Sequence, residues 1–150
     1  MNQESILYKQ DKANADQVLN HLMNCDDEFI ETLGKKVDIK AYSMKIVHNS
    51  VTFEAWENEA LVSLIAAYFN DPEKKSGYIT NVSTVTGKMG KGIATRLMKQ
   101  CIEYAEVNNF GEIKLEVATA NEQAIKLYRK FNFVQLEVKP GSIIMTKICK

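Results

Sequence analysis

Residues 78–133 constrain this chain more than any other segment. They read YITNVSTVTGKMGKGIATRLMKQCIEYAEVNNFGEIKLEVATANEQAIKLYRKFNF: a strand-like run, a glycine-punctuated loop, an amphipathic helix, a second strand and a second helix. A strand–helix–strand unit with a crossover implies a parallel strand pair, here the strands ending near Val85 and Val117. Gly90-Lys91-Gly92-Ile93-Ala94 places largely side-chain-free backbone where the first strand hands over to a helix. Amide N–H groups point outward at such a corner and the helix dipole favours negative charge, so it suits a phosphate-bearing ligand.

The remaining periodicity places other elements around this unit. Residues 6–9 form a short first strand. Val18, Leu19, Leu22, Met23, Phe29, Ile30 and Leu33 recur at helical spacing and predict helix over residues 14–33, with Asp26-Asp27 as the place for a break. Asp38 caps a second helix through Ile39, Tyr42, Ile46 and Val47. Residues 51–56 and 61–69, separated by Glu57-Asn58-Glu59, read as a hairpin, and Asn70-Asp71-Pro72 turns the chain into a third strand over 78–85. The helix after Gly92 carries Ile93, Leu97, Cys101, Tyr104 and Ala105 on one face. Residues 113–117 form a strand, 121–131 a helix, and 133–138 and 142–148 two closing strands. The expected fold is therefore α+β: a mixed, mostly antiparallel sheet with one parallel pair, flanked by helices, in one domain over residues 1–150.

Composition removes several classes of function. Lys plus Arg and Asp plus Glu are both 19, which argues against a nucleic-acid binder that relies on bulk charge. Cys25, Cys101 and Cys149 are odd in number and lack zinc-site spacing, so thiols in a reducing cytoplasm are expected. A nucleophilic Cys–His pair has only His21 and His48 to draw on, neither in a recognisable local motif. No run reaches the roughly 18 apolar residues of a membrane span, so a soluble protein without a membrane partner is expected.

The glycine loop is neither of two familiar nucleotide loops. Gly87 and Gly92 have Walker spacing, but Ile93 and Ala94 follow where Lys and Ser/Thr are needed. A dinucleotide fingerprint starting at Gly90 meets Thr95 where glycine or alanine belongs. A plain strand–helix turn, with Gly90 and Gly92 merely permitting positive φ, is the bland alternative.

The order NVSTVTGKMGKGIA, IKLEV, NEQAIKLYRKFNF resembles the GNAT superfamily of N-acetyltransferases across about the C-terminal half of the chain. That family's loop follows Arg/Gln-x-x-Gly-x-Gly/Ala; Met89, Gly92 and Ala94 fall on its defining positions and Gly90 on a common extra glycine. Met89 stands where Arg or Gln is usual, and Thr86 where proline is common. Asn121-x-x-Ala124-x-x-x-Tyr128, followed by Phe131 and Phe133, is the more specific half of the likeness.

The resemblance implies an acetyl-CoA-dependent transfer of an acetyl group to a primary amine of a small molecule or peptide, with no metal. It implies that backbone amides of Gly90, Lys91, Gly92, Ile93, Ala94 and Thr95 hold the coenzyme A pyrophosphate. Val82, Ser83, Thr84 and Val85 lie where the family's strand bulges and splays to bind the pantetheine arm and acetyl carbonyl. Asn121 corresponds to an asparagine that hydrogen-bonds the cofactor, and Tyr128 to the phenol that protonates the departing thiolate. Lys88, Lys91 and Arg96 are further candidates for the phosphates. The base is left open: Glu54, Glu116 or a water chain to a carbonyl. Also open are a homodimer through the closing strands and a catalytically silent acyl-CoA-binding module of the same fold.

Overall fold

The computed structural model describes residues 5–25 and 38–149, so the expected break at Asp26-Asp27 and the helical residues Phe29, Ile30 and Leu33 lie outside the described residues. Strand β1 (Leu7–Gln10) leads into helix α1 (Ala15–Met23). Asn14 caps α1 by accepting from Gln17 N, while the Gln17 side chain accepts from Asn14 N, a reciprocal capping box. Helix α2 (Ile39–Asn49) starts where the Asp38 carboxylate accepts from Lys40 N and Ala41 N. Strands β2 (Val51–Glu57) and β3 (Ala60–Tyr68) form the expected hairpin. Its two turn residues, Asn58 and Glu59, both have positive φ, the geometry that matches strand twist.

Strand β4 (Ser76–Thr84) is followed by a 3-10 turn at Thr86–Lys88 that the sequence pattern does not announce. Helix α3 (Ile93–Val107), strand β5 (Glu112–Ala118), helix α4 (Glu122–Lys130) and strands β6 (Val134–Lys139) and β7 (Ser142–Ile148) complete the described elements. The seven strands form one open sheet in the order β1-β2-β3-β4-β5-β7-β6. Every pairing is antiparallel except β4 with β5, as the crossover through α3 requires.

Each face of the sheet buries its own core. On one face, Leu97, Met98 and Cys101 of α3 pack with Phe53, Ile65, Ile79, Ile113 and Leu115 from the strands, joined by Tyr128 and Phe133. On the other, Val18 and Leu22 of α1 and Ile46 of α2 cover Trp56, Leu61, Leu64 and Ala66.

Two irregularities in β4 shape the centre of the molecule. Its parallel register with β5 runs only from Ser76↔Glu112 to Ile79↔Leu115. Beyond that point the strands part, while β5 remains paired to β7 along its whole length. Against β3, the register shifts between Ala66↔Asn81 and Ala67↔Ile79, leaving Thr80 as the extra residue of a bulge. The bulge therefore lies at Thr80, not over residues 82–85 as expected. The sequence carries its trace: Ile79 and Val82, three apart, both pack against the α3 core, which strict alternation would forbid.

Gly77 permits close packing of β4 on this face. A Cβ there would sit 2.4 Å from the Phe69 ring, which is itself held between Tyr104 and Phe110 at centroid distances of 4.9 and 4.8 Å. Gly77→Ala is expected to destabilise the protein by about 1–3 kcal/mol through overpacking. A denaturant midpoint equal to that of the unmodified protein would contradict this packing.

Candidate active site

The open edge of β4 and the start of α3 face each other across a cleft of about 350 Å3. Strand β4 lines it with Val82, Ser83 and Thr84, beyond the point where β5 has left. Backbone groups of this stretch that point toward β5 have no strand to bond, so they are available to a ligand inserted into the gap. The loop lines it with Met89, Gly90 and Gly92, and the first turn of α3 with Ile93, Ala94 and Thr95. From α4 come Asn121 at its cap and Tyr128. Val85 and Lys91 are not among the lining residues, although Lys91 N–H belongs to the same turn.

Helix α3 begins without a side-chain cap. Gly92 occupies the cap position at φ 81°, with Gly90 at φ 77°, and no side chain accepts from the first turn. The N–H groups of Ile93, Ala94 and Thr95, orphaned as in every helix, are left beside the cleft with the positive end of the dipole. Nothing lies within 4 Å of a Cβ built on either glycine, so it is the left-handed backbone, not crowding, that requires glycine there.

The three cations expected at the phosphates are placed unequally. Lys88 lines the cleft, but its Nζ lies 2.8 and 2.9 Å from the Glu57 carboxylate oxygens, and both side chains are largely covered. Arg96 stacks over the Tyr8 ring at 4.1 Å. Lys126 and Lys130 of α4 instead line the cleft together with Gln123 and Leu127, residues that the sequence reading did not single out. Positions 123, 126, 127 and 130 share one face of α4, a quarter-turn or more from Tyr128, so spacing from Tyr128 did not announce them.

Tyr128 is 5% exposed, and burial pushes its phenol up to about 12. Among the described residues nothing is hydrogen-bonded to its hydroxyl, and no fully buried side-chain oxygen or nitrogen lacks a partner. The hydroxyl therefore opens onto the cleft, protonated at any ordinary pH. Asn121 caps α4 by accepting from Ala124 N at 3.2 Å while also lining the cleft.

The two carboxylates weighed as bases lie away from this cleft. Glu54 on β2 is fully buried and accepts from Lys12 N, Ala13 N, Thr52 Oγ1 at 2.5 Å and Trp56 Nε1 at 3.0 Å. Its oxygens are committed to tying the β1–α1 link onto the sheet. Glu116 sits on β5 past the parting of the strands, on the face opposite the α3 core. It accepts from Ser142 Oγ at 2.6 Å, with Lys139 Nζ at 3.7 Å. Its charge also helps burial raise the Tyr78 phenol.

Sequence reasoning missed a polar row behind β4. His21 of α1, 1% exposed, contacts the Leu61 carbonyl through Nδ1 at 3.0 Å and Ser83 Oγ through Nε2 at 2.8 Å. Cys25 Sγ lies 3.8 Å from Nε2, so a histidine and a cysteine do meet here. Burial lowers the imidazole to about 4, which makes it too weak a base to activate that thiol. The unfolded chain binds a proton on this histidine below pH about 6.5, while the folded one stays neutral down to about 4, so acid favours unfolding across that window. His21 alone should remove about 2 kcal/mol of stability between pH 7.5 and 5. Unfolding titrations at the two pH values check this: a His21→Gln protein should lack that part of the dependence, and an unchanged dependence would contradict it.

Comparison with known proteins agrees with this geometry. Residues 16–133 match the Acetyltransferase (GNAT) family. An uncharacterised N-acetyltransferase, YsnE, of Bacillus subtilis is 30% identical over 106 residues, covering 65% of this chain and 69% of that protein. An N-terminal acetyltransferase complex ARD1 subunit homolog of Dictyostelium discoideum is 32% identical over 125 residues, 79% of this chain; the match spans 62% of that protein's length. In fold, the chain superposes on the PaiA N-acetyltransferase of Thermoplasma acidophilum, solved in complex with coenzyme A. The TM-score is 0.81, with 14% identity, 96% of this chain and 99% of that one covered.

Proposed function

The chain belongs to the acetyltransferase (GNAT) family, and we propose that it moves an acetyl group from acetyl-CoA to a primary amine by direct transfer within one domain. The observation that carries this reading is the meeting of three features in one cleft: an uncapped helix start, an unpaired strand edge and an open phenol. The diphosphate sits on the amides of Gly90 to Thr95, where the dipole and orphan N–H groups favour anions. Lys126 and Lys130 add positive charge along the same wall. The pantetheine arm takes the place β5 vacates and bonds the free edge of β4 at Val82, Ser83 and Thr84. A backbone N–H of that edge polarises the thioester carbonyl.

Tyr128 then faces the sulfur that leaves. Its high pKa keeps the proton in place but makes the isolated phenol a weaker acid than an alkyl thiol, whose pKa is about 8.5. Thiolate departs into the same poorly solvated cleft, where desolvation raises the thiol in the same direction as the phenol, and the mismatch narrows. Tyr128→Phe is expected to lower kcat by about 10²-fold, the scale of general-acid assistance, with acetyl-CoA affinity unchanged by calorimetry. A Phe variant with full turnover would remove the role assigned to Tyr128.

The acceptor is a small-molecule or peptide amine; the relation to an N-terminal acetyltransferase subunit supports including peptides with free α-amino groups. Thiol release from acetyl-CoA, assayed across amino sugars, polyamines, amino acids and peptides, is expected to show turnover with at least one class. Tight acetyl-CoA binding with no turnover anywhere would instead mark a silent acyl-CoA-binding module.

A further inference from the structure

Amide formation leaves one proton to be removed from the attacking amine, and neither Glu54 nor Glu116 lines the cleft. One ionisable side chain of the described residues is hydrogen-bonded to a lining residue of β4: His21, through Ser83 Oγ. His21 also lines a second cleft on the α1 face with Asn20, Asn24, Glu59 and Leu61. The His21–Ser83 bond thus joins the cofactor cleft to the opposite surface of the sheet.

The proton count along this row is informative. Three links run Leu61 O to His21 Nδ1 at 3.0 Å, His21 Nε2 to Ser83 Oγ at 2.8 Å, and Ser83 Oγ to Asn81 Oδ1 at 2.7 Å. Both ends of the row are oxygens that only accept, so Nδ1–H must serve Leu61 and Ser83 O–H must serve Asn81. The middle link then needs a hydrogen on Nε2, which a neutral imidazole bearing Nδ1–H does not have. Burial nevertheless holds the imidazole neutral. With Asn81 Oδ1 toward Ser83, the row is one proton short, and it closes completely when a proton arrives. Asn81, Ser83 and His21 are 5%, 7% and 1% exposed, so bulk water does not compete along its length.

We propose that Ser83 and His21 form the route by which the acceptor amine loses its proton. This rests on the acetyl-transfer reading above. As the amine nitrogen bonds to the thioester carbonyl carbon, an N–H proton passes to Ser83 Oγ while the serine's own hydrogen turns from Asn81 Oδ1 to His21 Nε2. The C–S bond breaks and the thiolate takes the Tyr128 proton. The imidazolium loses its Nδ1 proton past Leu61 O to the second cleft and returns to the Nδ1–H tautomer, and Tyr128 regains a proton from solvent. Ser83 touches the amine, and His21 acts through Ser83 as a positioning residue.

The test uses the full chain with acetyl-CoA and the amine of the panel that gives the highest kcat/KM. Ser83→Ala and His21→Gln should each lower kcat by about 10²-fold, with acetyl-CoA affinity within about twofold of the parent, and Ser83→Thr, which keeps the hydroxyl, should recover most of the loss. Parental kcat in a folded Ser83→Ala protein overturns the route. So does a kcat loss matched by lost acetyl-CoA affinity and not rescued by threonine, which would make the row only a support for β4. Should His21→Gln fail to fold, the alanine and threonine pair at Ser83 decides alone. If the parent turns over no amine at all, it is the acetyl-transfer reading that fails, and the route falls with it.

Discussion

The parting of β4 from β5 after Ile79 and Leu115 is the constraint on which the rest of the molecule depends. A parallel pair inside a sheet ordinarily satisfies its backbone along its whole length, and leaving buried N–H and C=O groups unbonded costs about 1–3 kcal/mol each. Here the strand edge is exposed deliberately: the bulge at Thr80 turns β4 away while β7 keeps β5 fully paired. Tyr42 OH donates to Thr80 O at 2.8 Å, and Ser63 Oγ donates to Ser83 O at 3.2 Å, so the departing strand is held from both sides. The gap is a fixed feature of the sheet, and a long thin ligand can take the place of the missing neighbour.

The two faces of the sheet divide the chemistry. On the α3 face, glycine-dependent backbone, the helix start and Tyr128 gather around one cleft. On the α1 and α2 face, the same strand carries Thr80, Asn81 and Ser83 into contact with Tyr42 and His21. Because strand side chains alternate, β4 presents its backbone edge to one ligand while its side chains organise the far side. A strand of nine residues thereby shapes both faces of the sheet beside the cleft.

Most of the architecture was legible in the sequence because local signals agreed with tertiary ones. Asp38 stands at the cap it forms, and the apolar stripe of α3 became its buried face. The crossover rule gave the parallel pair without further information. What escaped notice depended on contacts between distant segments. Lys88 looked like a phosphate ligand until Glu57, 31 residues earlier, turned out to hold it. His21 and Ser83 are 62 residues apart, and no pattern of spacing links a helix residue to that strand. One miss was avoidable: the three-residue spacing of Ile79 and Val82 betrays the bulge. Glu54 illustrates the reverse error, since an isolated acid in a strand suggests chemistry when its partners are four donors of the fold.

The central claim is that an anionic ligand is gripped by main-chain amides at the start of α3, alongside the free edge of β4. Backbone amide chemical shifts followed during titration with coenzyme A test this directly. The largest changes should fall on Gly90, Gly92, Ile93 and Ala94, continuing into Val82, Ser83 and Thr84. Saturable binding that leaves those amides unmoved, or no binding at all, would contradict the account.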